Sequence, residues 1–319
     1  MPKAVVFKGG EIKMIDDKLY PLGNGEILIR QTCCGLNFDD LLVTQGQITN
    51  PDPIGIMGTE GVGIVEEIGP NCVRKFQKGQ RVCYCTYKPG AFTTVRAVDE
   101  NYLIPIPDDI PNDIAATCFK GLVAHMLLFR VYRSLKGHKI VIAGAAGALG
   151  SVLTQWATRT GIEVIAVTGE MSKKDYIMGN GARHVFNWKD EDVVKQIMSV
   201  TNKQGANAVY DGIGESFFPS SLKSLAPLGI WINYGFTSGE VKGFRLKHLQ
   251  AKSTFATKPT VGVYKGHPME ATFTILEYFQ QISKGALRPS IVKYQMDNVE
   301  QAIQDIAASK RNGQKILLV

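Results

Sequence analysis

Apolar positions change their rhythm twice along the 319-residue chain. Up to about residue 115 they come in short bursts, at 4–7, 12–15, 26–33, 61–68, 81–86 and 92–98, each broken by Gly or Pro. Short strands with recurring turn signals predict a small barrel or sandwich. From 116 to 258, apolar runs at 139–143, 163–167, 184–186, 206–210, 230–234 and 253–257 alternate with helical patterns at 148–160, 173–179, 191–200 and 217–225. Short, wholly apolar strands between helices indicate a parallel sheet covered on both faces. Beyond Pro259, helices at 271–283 and 299–308 and strands at 291–294 and 315–319 make a tail too small for a domain, expected to fold back onto the N-terminal part. The chain thus reads as α/β: a β domain of residues 1–115 and 259–319, with a doubly wound parallel sheet of residues 116–258 inserted into it.

The sharpest local signal joins the 139–143 strand to the helix after it: Gly144-Ala145-Ala146-Gly147-Ala148-Leu149-Gly150. Between a strand and a helix, the spacing Ala145-x-Gly147-x-x-Gly150 is a dinucleotide fingerprint. Gly147 lets backbone approach a pyrophosphate and Gly150 lets the helix pack closely on the strand. The helix N-terminus adds unpaired N–H groups and the positive end of its dipole. Ala145 replaces the usual first glycine, a small steric change. The strand–helix units that follow argue against a tight turn without a ligand.

The end of the second strand chooses the coenzyme. A carboxylate there would bind the adenosine ribose hydroxyls. Thr168 stands in its place, with Lys173 and Lys174 following. A small polar residue with lysines suits a 2′-phosphate, and hence NADPH. Glu170 argues the other way, and lysines that only face water are the alternative.

Composition refines this picture. Apolar residues make up 45% and charged residues 20%, which excludes a disordered or collagen-like chain. The net charge of +7 is dispersed, with its densest clusters at Lys173-Lys174 and Lys310-Arg311. A nucleic-acid stripe with interleaved aromatics is absent. The apolar stretch 140–153 is too short to span a bilayer, and the N-terminus lacks a secretory pattern, so a cytoplasmic location is expected. Cysteines at 33, 34, 72, 83, 85 and 118 form no C-x-x-C. Cys83 and Cys85 share one face of a strand, either as two buried small residues or as a metal or redox pair. His125 reads as a packed helix residue, Asp40 of the Asp39-Asp40 pair as structural, and Tyr278 and Phe279 as a helix packing face.

Together these segments resemble the medium-chain dehydrogenase/reductase superfamily, and within it the zinc-free quinone oxidoreductase branch, the zeta-crystallin-like enzymes. The resemblance is carried in order by Gly35-Leu36-Asn37-Phe38-Asp39-Asp40, Gly58-Thr59-Glu60-Gly61-Val62-Gly63, Lys78-Gly79-Gln80-Arg81-Val82, Cys118-Phe119-Lys120-Gly121-Leu122 and the glycine turn. Gly179-Asn180-Gly181-Ala182, Val209-Tyr210-Asp211-Gly212, Gly235-Phe236-Thr237-Ser238-Gly239 and Asn312-Gly313-Gln314-Lys315 follow. It implies a GroES-like β domain with an inserted Rossmann domain, a cleft between the two, and a homodimer joined through the edge strands at 230–234 and 253–257.

Zinc-dependent relatives place Cys at position 37 and His at position 59. Asn37 and Thr59 are not zinc ligands, and the four-cysteine lobe is missing, so no metal is expected. Without a Lewis acid, alcohol oxidation is disfavoured. The resemblance implies hydride transfer from NADPH to a quinone. The alternatives are reduction of an alkenal or enone, and a non-enzymatic NADPH-binding protein of crystallin-like or nucleic-acid-binding type.

No catalytic acid or base is singled out. By resemblance, Ala146, Gly147, Ala148 and Leu149 hold the pyrophosphate, and Thr168 and Lys173 the 2′-phosphate. Trp188 stands where relatives often carry a Tyr that touches that phosphate. Val123, Gly235, Phe236 and Ser238 frame the nicotinamide, Asn37 lies beside its ribose, and Lys315 completes the coenzyme set. Asn37, Leu42, Thr59 and Lys258 face the acceptor. Leu42 replaces a frequent Tyr and Lys258 a frequent Arg; Lys258 either stabilises an oxyanion or is a solvated loop lysine.

Overall fold

The computed structural model describes every residue except Leu19, Tyr20, Tyr87, Gly266, His267 and Arg311, and the side chains of Tyr264 and Lys265 are not described. The Arg311 half of the Lys310-Arg311 pair therefore lies outside the described residues. The chain divides into two compact units. One comprises Met1–Leu122, Gly262–Lys284 and Pro289–Val319, the other Val123–Val261 and Gly285–Arg288.

The strands, in chain order, are β1 (Lys3–Lys8), β2 (Glu11–Asp16), β3 (Glu26–Gly35), β4 (Glu60–Ile68), β5 (Arg81–Cys85), β6 (Val95–Asp99) and β7 (Ile104–Pro105). Then come β8 (Lys139–Ala143), β9 (Glu163–Thr168), β10 (His184–Asn187), β11 (Ala206–Asp211), β12 (Leu225–Asn233) and β13 (Phe255–Thr257). The last two are β14 (Ile291–Gln295) and β15 (Gln314–Leu318).

In the first unit, β1 and β2 form a hairpin whose two turn residues, Gly9 and Gly10, have φ of 63° and 84°. A tight hairpin needs that left-handed backbone. The larger sheet runs β14-β15-β3-β4-β5-β7, with β6 also on β3. Alternation along β3 sends Ile27 and Ile29 inward and Arg30 outward. β15 pairs antiparallel with β3, Ile316 opposite Gly35, so the tail completes the sheet begun by the N-terminal strands. Phe92, Met57, Leu36 and Tyr84 form the core with Val299, Ala302 and Ile303 of the Val299–Ala307 helix.

The second unit is one parallel sheet in the order β10-β9-β8-β11-β12-β13. Ile140, Val141, Ile142 and Ala143 of β8 are wholly buried, as are Ile165, Ala166 and Val167 of β9, because helices cover both faces. Most boundaries shift by one to three residues from the sequence expectation, and the largest difference lies near residue 225. The helix expected at 217–225 ends at Ser224, and β12 begins at once with Leu225 rather than at 230. Leu228, at φ 60°, interrupts the strand pattern in sequence without ending the strand.

The longest apolar helical run is not 140–153. Among the described residues, Asn112–Val131 alone is long and apolar enough to cross a membrane, and 61% of its apolar window is buried inside the protein. It includes the Cys118–His125 helix and a π-helical stretch, Met126–Val131. Leu122, Ala124, Leu127 and Leu128 are fully buried core residues.

On the Cys118–His125 helix, Gly121 faces the buried ring of Tyr278, whose hydroxyl lies 2.9 Å from Thr117 Oγ1. A Cβ at Gly121 would come within 2.3 Å of that ring. Gly121→Ala is expected to lower stability by about 1–3 kcal/mol through overpacking. Chemical denaturation would check this, and an unchanged midpoint would contradict it.

Candidate functional site

β8 runs into the glycine turn and the Ala148–Arg159 helix. Gly144 has φ +84°, and its N–H donates to Val167 O at 3.1 Å, tying the turn to the end of β9. A Cβ on Gly150 would sit 2.3 Å from Gly144 O and 2.8 Å from Ala145 Cα. Gly150 is therefore a glycine because the fold requires it. Gly147 differs: its φ is −71° and the nearest atom to a Cβ would be Gly144 O at 3.3 Å. It is the exposed N-cap, and no side chain caps the helix. The first-turn N–H groups, beside half-exposed Ala148 and Leu149, are thus left for a ligand. Ala145 is fully buried and Ala146 half-buried.

One strand over, β9 ends at buried Thr168, whose Oγ1 accepts Glu170 N–H at 3.2 Å. Lys173 Nζ pairs with Glu170 Oε2 at 3.1 Å. Asn187 of β10 lies opposite Thr168, and Trp188 N–H donates to Thr168 O at 3.1 Å. Thr168, Lys173 and Trp188 therefore come together around one strand end. Lys189, which the sequence reading passed over, joins them, with Nζ 5.6 Å from the centre of the Trp188 ring.

At the end of β11, buried Asp211 organises the next turn. Oδ1 accepts Ile213 N–H at 2.8 Å and Gly214 N–H at 3.0 Å; Oδ2 accepts Ser221 Oγ at 3.0 Å and Trp231 Nε1 at 3.1 Å. Burial pushes its carboxyl up, while these donors pull it back. The same turn positions Gly235, Phe236 and Ser238. Gly235 N–H donates to Asp211 O at 3.2 Å, and Ser238 Oγ donates to Ile213 O at 2.7 Å. Lys258 Nζ pairs with Glu240 Oε2 at 2.6 Å and lies 5.4 Å from the Phe236 ring centre. It is thus an ion-paired lysine on an aromatic face. Val123, in the same unit, is nearly buried. His125 packs on Phe129 and Trp156, with ring centres 4.9 and 5.6 Å away.

The first unit holds a second polar centre. Asn37 precedes the Phe38–Thr44 helix, and its N–H donates to Asp40 Oδ2 at 2.8 Å, so Asp40 serves the helix end. Asn37 Nδ2 donates to Glu60 Oε1 at 2.9 Å, and Asn37 Oδ1 accepts Lys120 Nζ. Lys120 Nζ also lies 3.6 Å from Glu60 Oε1, and Phe119 N–H donates to Glu60 Oε2 at 3.2 Å. Asn37, Asp40, Glu60 and Lys120 are all buried. Leu42 is buried on the same helix, Thr59 is half-buried, and Thr59 O accepts Thr86 N–H. Lys315 is buried on β15, with Nζ 3.3 Å from Gly313 O.

The sequence reading missed Glu60 and Lys120. Their signal was available: each is a lone charge inside an apolar run, which needs a buried partner. Among the described residues, no group of three or more His, Cys, Asp or Glu is placed to hold a metal ion.

Comparison with known proteins gives the class first. Residues 23–108 match the alcohol dehydrogenase GroES-like domain and residues 148–270 the zinc-binding dehydrogenase domain. That pair of domains defines the medium-chain dehydrogenase/reductase architecture. A quinone oxidoreductase of Pseudomonas aeruginosa is 31% identical over 299 residues, covering 93% of this chain and 92% of its own. A 2-haloacrylate reductase of a Burkholderia species is 30% identical over 297 residues, covering 90% and 89%. The structure of Escherichia coli quinone oxidoreductase complexed with NADPH superposes with a TM-score of 0.92 at 25% identity, over 100% of both chains. The chain belongs to the quinone oxidoreductase family of medium-chain dehydrogenases/reductases.

Burial raises the Asp40 carboxyl from its ordinary 3.8 to about 7, with Asp39 and Glu60 adding to the rise. The folded protein thus holds a proton that the unfolded chain releases. The associated stability is full below about pH 4 and is lost as pH rises through about 7. Urea unfolding of wild type and Asp40→Asn should therefore diverge with pH. Wild type is expected to lose up to about 4 kcal/mol relative to the variant between pH 4 and 8. A pH-independent difference would contradict this.

Proposed function

We propose that the protein is an NADPH-dependent quinone oxidoreductase that transfers hydride without a metal ion. The observation that carries this reading is the pairing of a side-chain-free helix N-terminus at Gly147 with a second strand that ends in Thr168, not a carboxylate, among lysines. The donors fit the coenzyme. Gly147 presents no side chain at the helix N-terminus, and the backbone at Ala146, Gly147, Ala148 and Leu149 receives the pyrophosphate. Thr168, Lys173 and Trp188 take the 2′-phosphate. The family resemblance assigns Val123, Gly235, Phe236 and Ser238 to the nicotinamide, Asn37 to its ribose and Lys315 to the coenzyme. The same resemblance assigns Asn37, Leu42, Thr59 and Lys258 to the acceptor. Bound NADPH supplies the hydride; the chain supplies orientation and excludes water.

The metal-free reading rests on donor chemistry. Asn37 and Thr59 are poor zinc ligands, and the Asn37 amide is already engaged by Glu60 and by the Lys120 ammonium. A homodimer joined through the edge strand β13, where Phe255 is exposed, and a cytoplasmic location complete the proposal; the 230–234 strand, also expected at the joint, is no edge, because β12 lies between β11 and β13.

A second reading keeps NADPH and changes the acceptor to an alkenal or enone. It is favoured by the 2-haloacrylate reductase relative and by Leu42, which has no hydroxyl to offer a quinone oxygen. Steady-state NADPH oxidation with 1,2- and 1,4-quinones, set against 2-alkenals, separates the two. Quinone turnover unchanged by EDTA is the expected result. Turnover of alkenals alone would favour the second reading, loss of activity with EDTA would overturn the metal-free reading, and no turnover at all would overturn both.

A further inference from the structure

The end of β9 carries an arrangement that the sequence pattern does not express. Lys173, the lysine expected to meet a 2′-phosphate, is paired with Glu170 at 3.1 Å, and only 16% of its side chain is exposed. Its charge is largely answered within the protein. Lys189 is placed differently. Among the described residues it forms no ion pair with a carboxylate; its ammonium lies 5.6 Å from the centre of the Trp188 ring.

Three local constraints aim this side chain. Asn187 Oδ1 accepts Lys189 N–H at 3.0 Å, and Asn187 O accepts Asp190 N–H at 3.2 Å, which closes the turn after β10. Trp188 N–H donates to Thr168 O, which fastens that turn to the end of β9. Gly169 leaves the room that both side chains occupy: a Cβ there would stand 2.9 Å from Trp188 Nε1 and 3.4 Å from Lys189 Cε. The indole N–H and the distal end of Lys189 therefore converge over Gly169. This is the strand end at which a Rossmann fold meets the adenosine ribose.

We propose that Lys189, held on Trp188 over Gly169, is the residue that selects the 2′-phosphate, and that Glu170 weakens selection by neutralising Lys173. The proposal rests on the NADPH reading above. It gives Trp188 a role as the platform that orders a flexible lysine, with its Nε1–H as a further donor to the phosphate. It also makes Gly169 a requirement of the ligand pocket rather than of the backbone, since no left-handed φ is involved.

Calorimetric titration with NADPH and with NADH tests it on wild type, Lys189→Ala, Lys189→Arg, Lys173→Ala and Glu170→Gln. Loss of one charge-assisted contact is expected to weaken NADPH binding to Lys189→Ala by about tenfold or more, with NADH affinity unchanged. Lys189→Arg should restore most of the affinity, Lys173→Ala should cost less than Lys189→Ala, and Glu170→Gln should tighten NADPH. Two outcomes would overturn the proposal: a larger loss from Lys173→Ala than from Lys189→Ala, or an equal effect of Lys189→Ala on both coenzymes. A wild type that binds NADH more tightly than NADPH would instead sink the underlying coenzyme reading, whatever the variants do.

Discussion

A helix always begins with N–H groups that its own carbonyls cannot reach. Most helices answer them with a Ser, Thr, Asp or Asn side chain. The Ala148–Arg159 helix does not, because its N-cap is Gly147. Other helices of the chain also lack a side-chain cap; what sets this end apart is the glycine turn that leads into it from β8, where an anionic ligand is the natural acceptor. Everything around the turn is consistent with holding that end open. Gly144 takes the left-handed conformation that turns the chain, and Gly150 lets the helix approach within contact of Gly144 O. A Cβ on Gly147 would meet only Gly144 O, at 3.3 Å, a tight but single contact. The parallel sheet, with residues 140–143 of β8 and 164–167 of β9 apolar and buried, is the rigid base that fixes the turn beside Thr168.

The other unit stores its polarity differently. Burying Glu60 and Lys120 costs several kcal/mol for each ion unless geometry and hydrogen bonds compensate. Here the compensation is nearly complete: Glu60 receives Asn37 and the Phe119 N–H, and Lys120 meets both Asn37 and Glu60. A hydrophobic replacement would serve stability as well or better. The cluster therefore fits a role in orienting the Asn37 amide. Asp40 completes it by fixing the helix that starts at Asn37, and its raised pKa records how little water reaches it.

Much of the fold was legible because its signals are local. Apolar runs at 140–143 and 164–167, set between helical patterns, read as buried parallel strands, and the glycine spacing announced the turn between strand and helix. Thr168 was readable as the missing carboxylate by counting along the chain. What was not legible depends on partners distant in sequence. Lys120 meets Asn37 across 83 positions, and Phe119 meets Glu60 across 59, so no window contains both members. Lys189 carries no signal of its own in the sequence; the pairing of β10 with β9 brings it over Gly169. The early start of β12 escaped because Ala226-Pro227-Leu228-Gly229 reads as a turn; Leu225 pairs with Ala206 of β11, and these four residues bulge out before the pairing resumes at Ile230.

The open helix end can be tested without disturbing the fold. Gly147→Ser places a hydroxyl where it can cap the first turn, at a position with ordinary φ and only one near contact. Paired thermal melts and NADPH titrations of this variant are the most direct measurement. A melting temperature at or above that of wild type, together with NADPH binding weakened by about tenfold or more, is the predicted result. Wild-type NADPH affinity in a folded Gly147→Ser protein would contradict the claim that this turn is held open for the coenzyme.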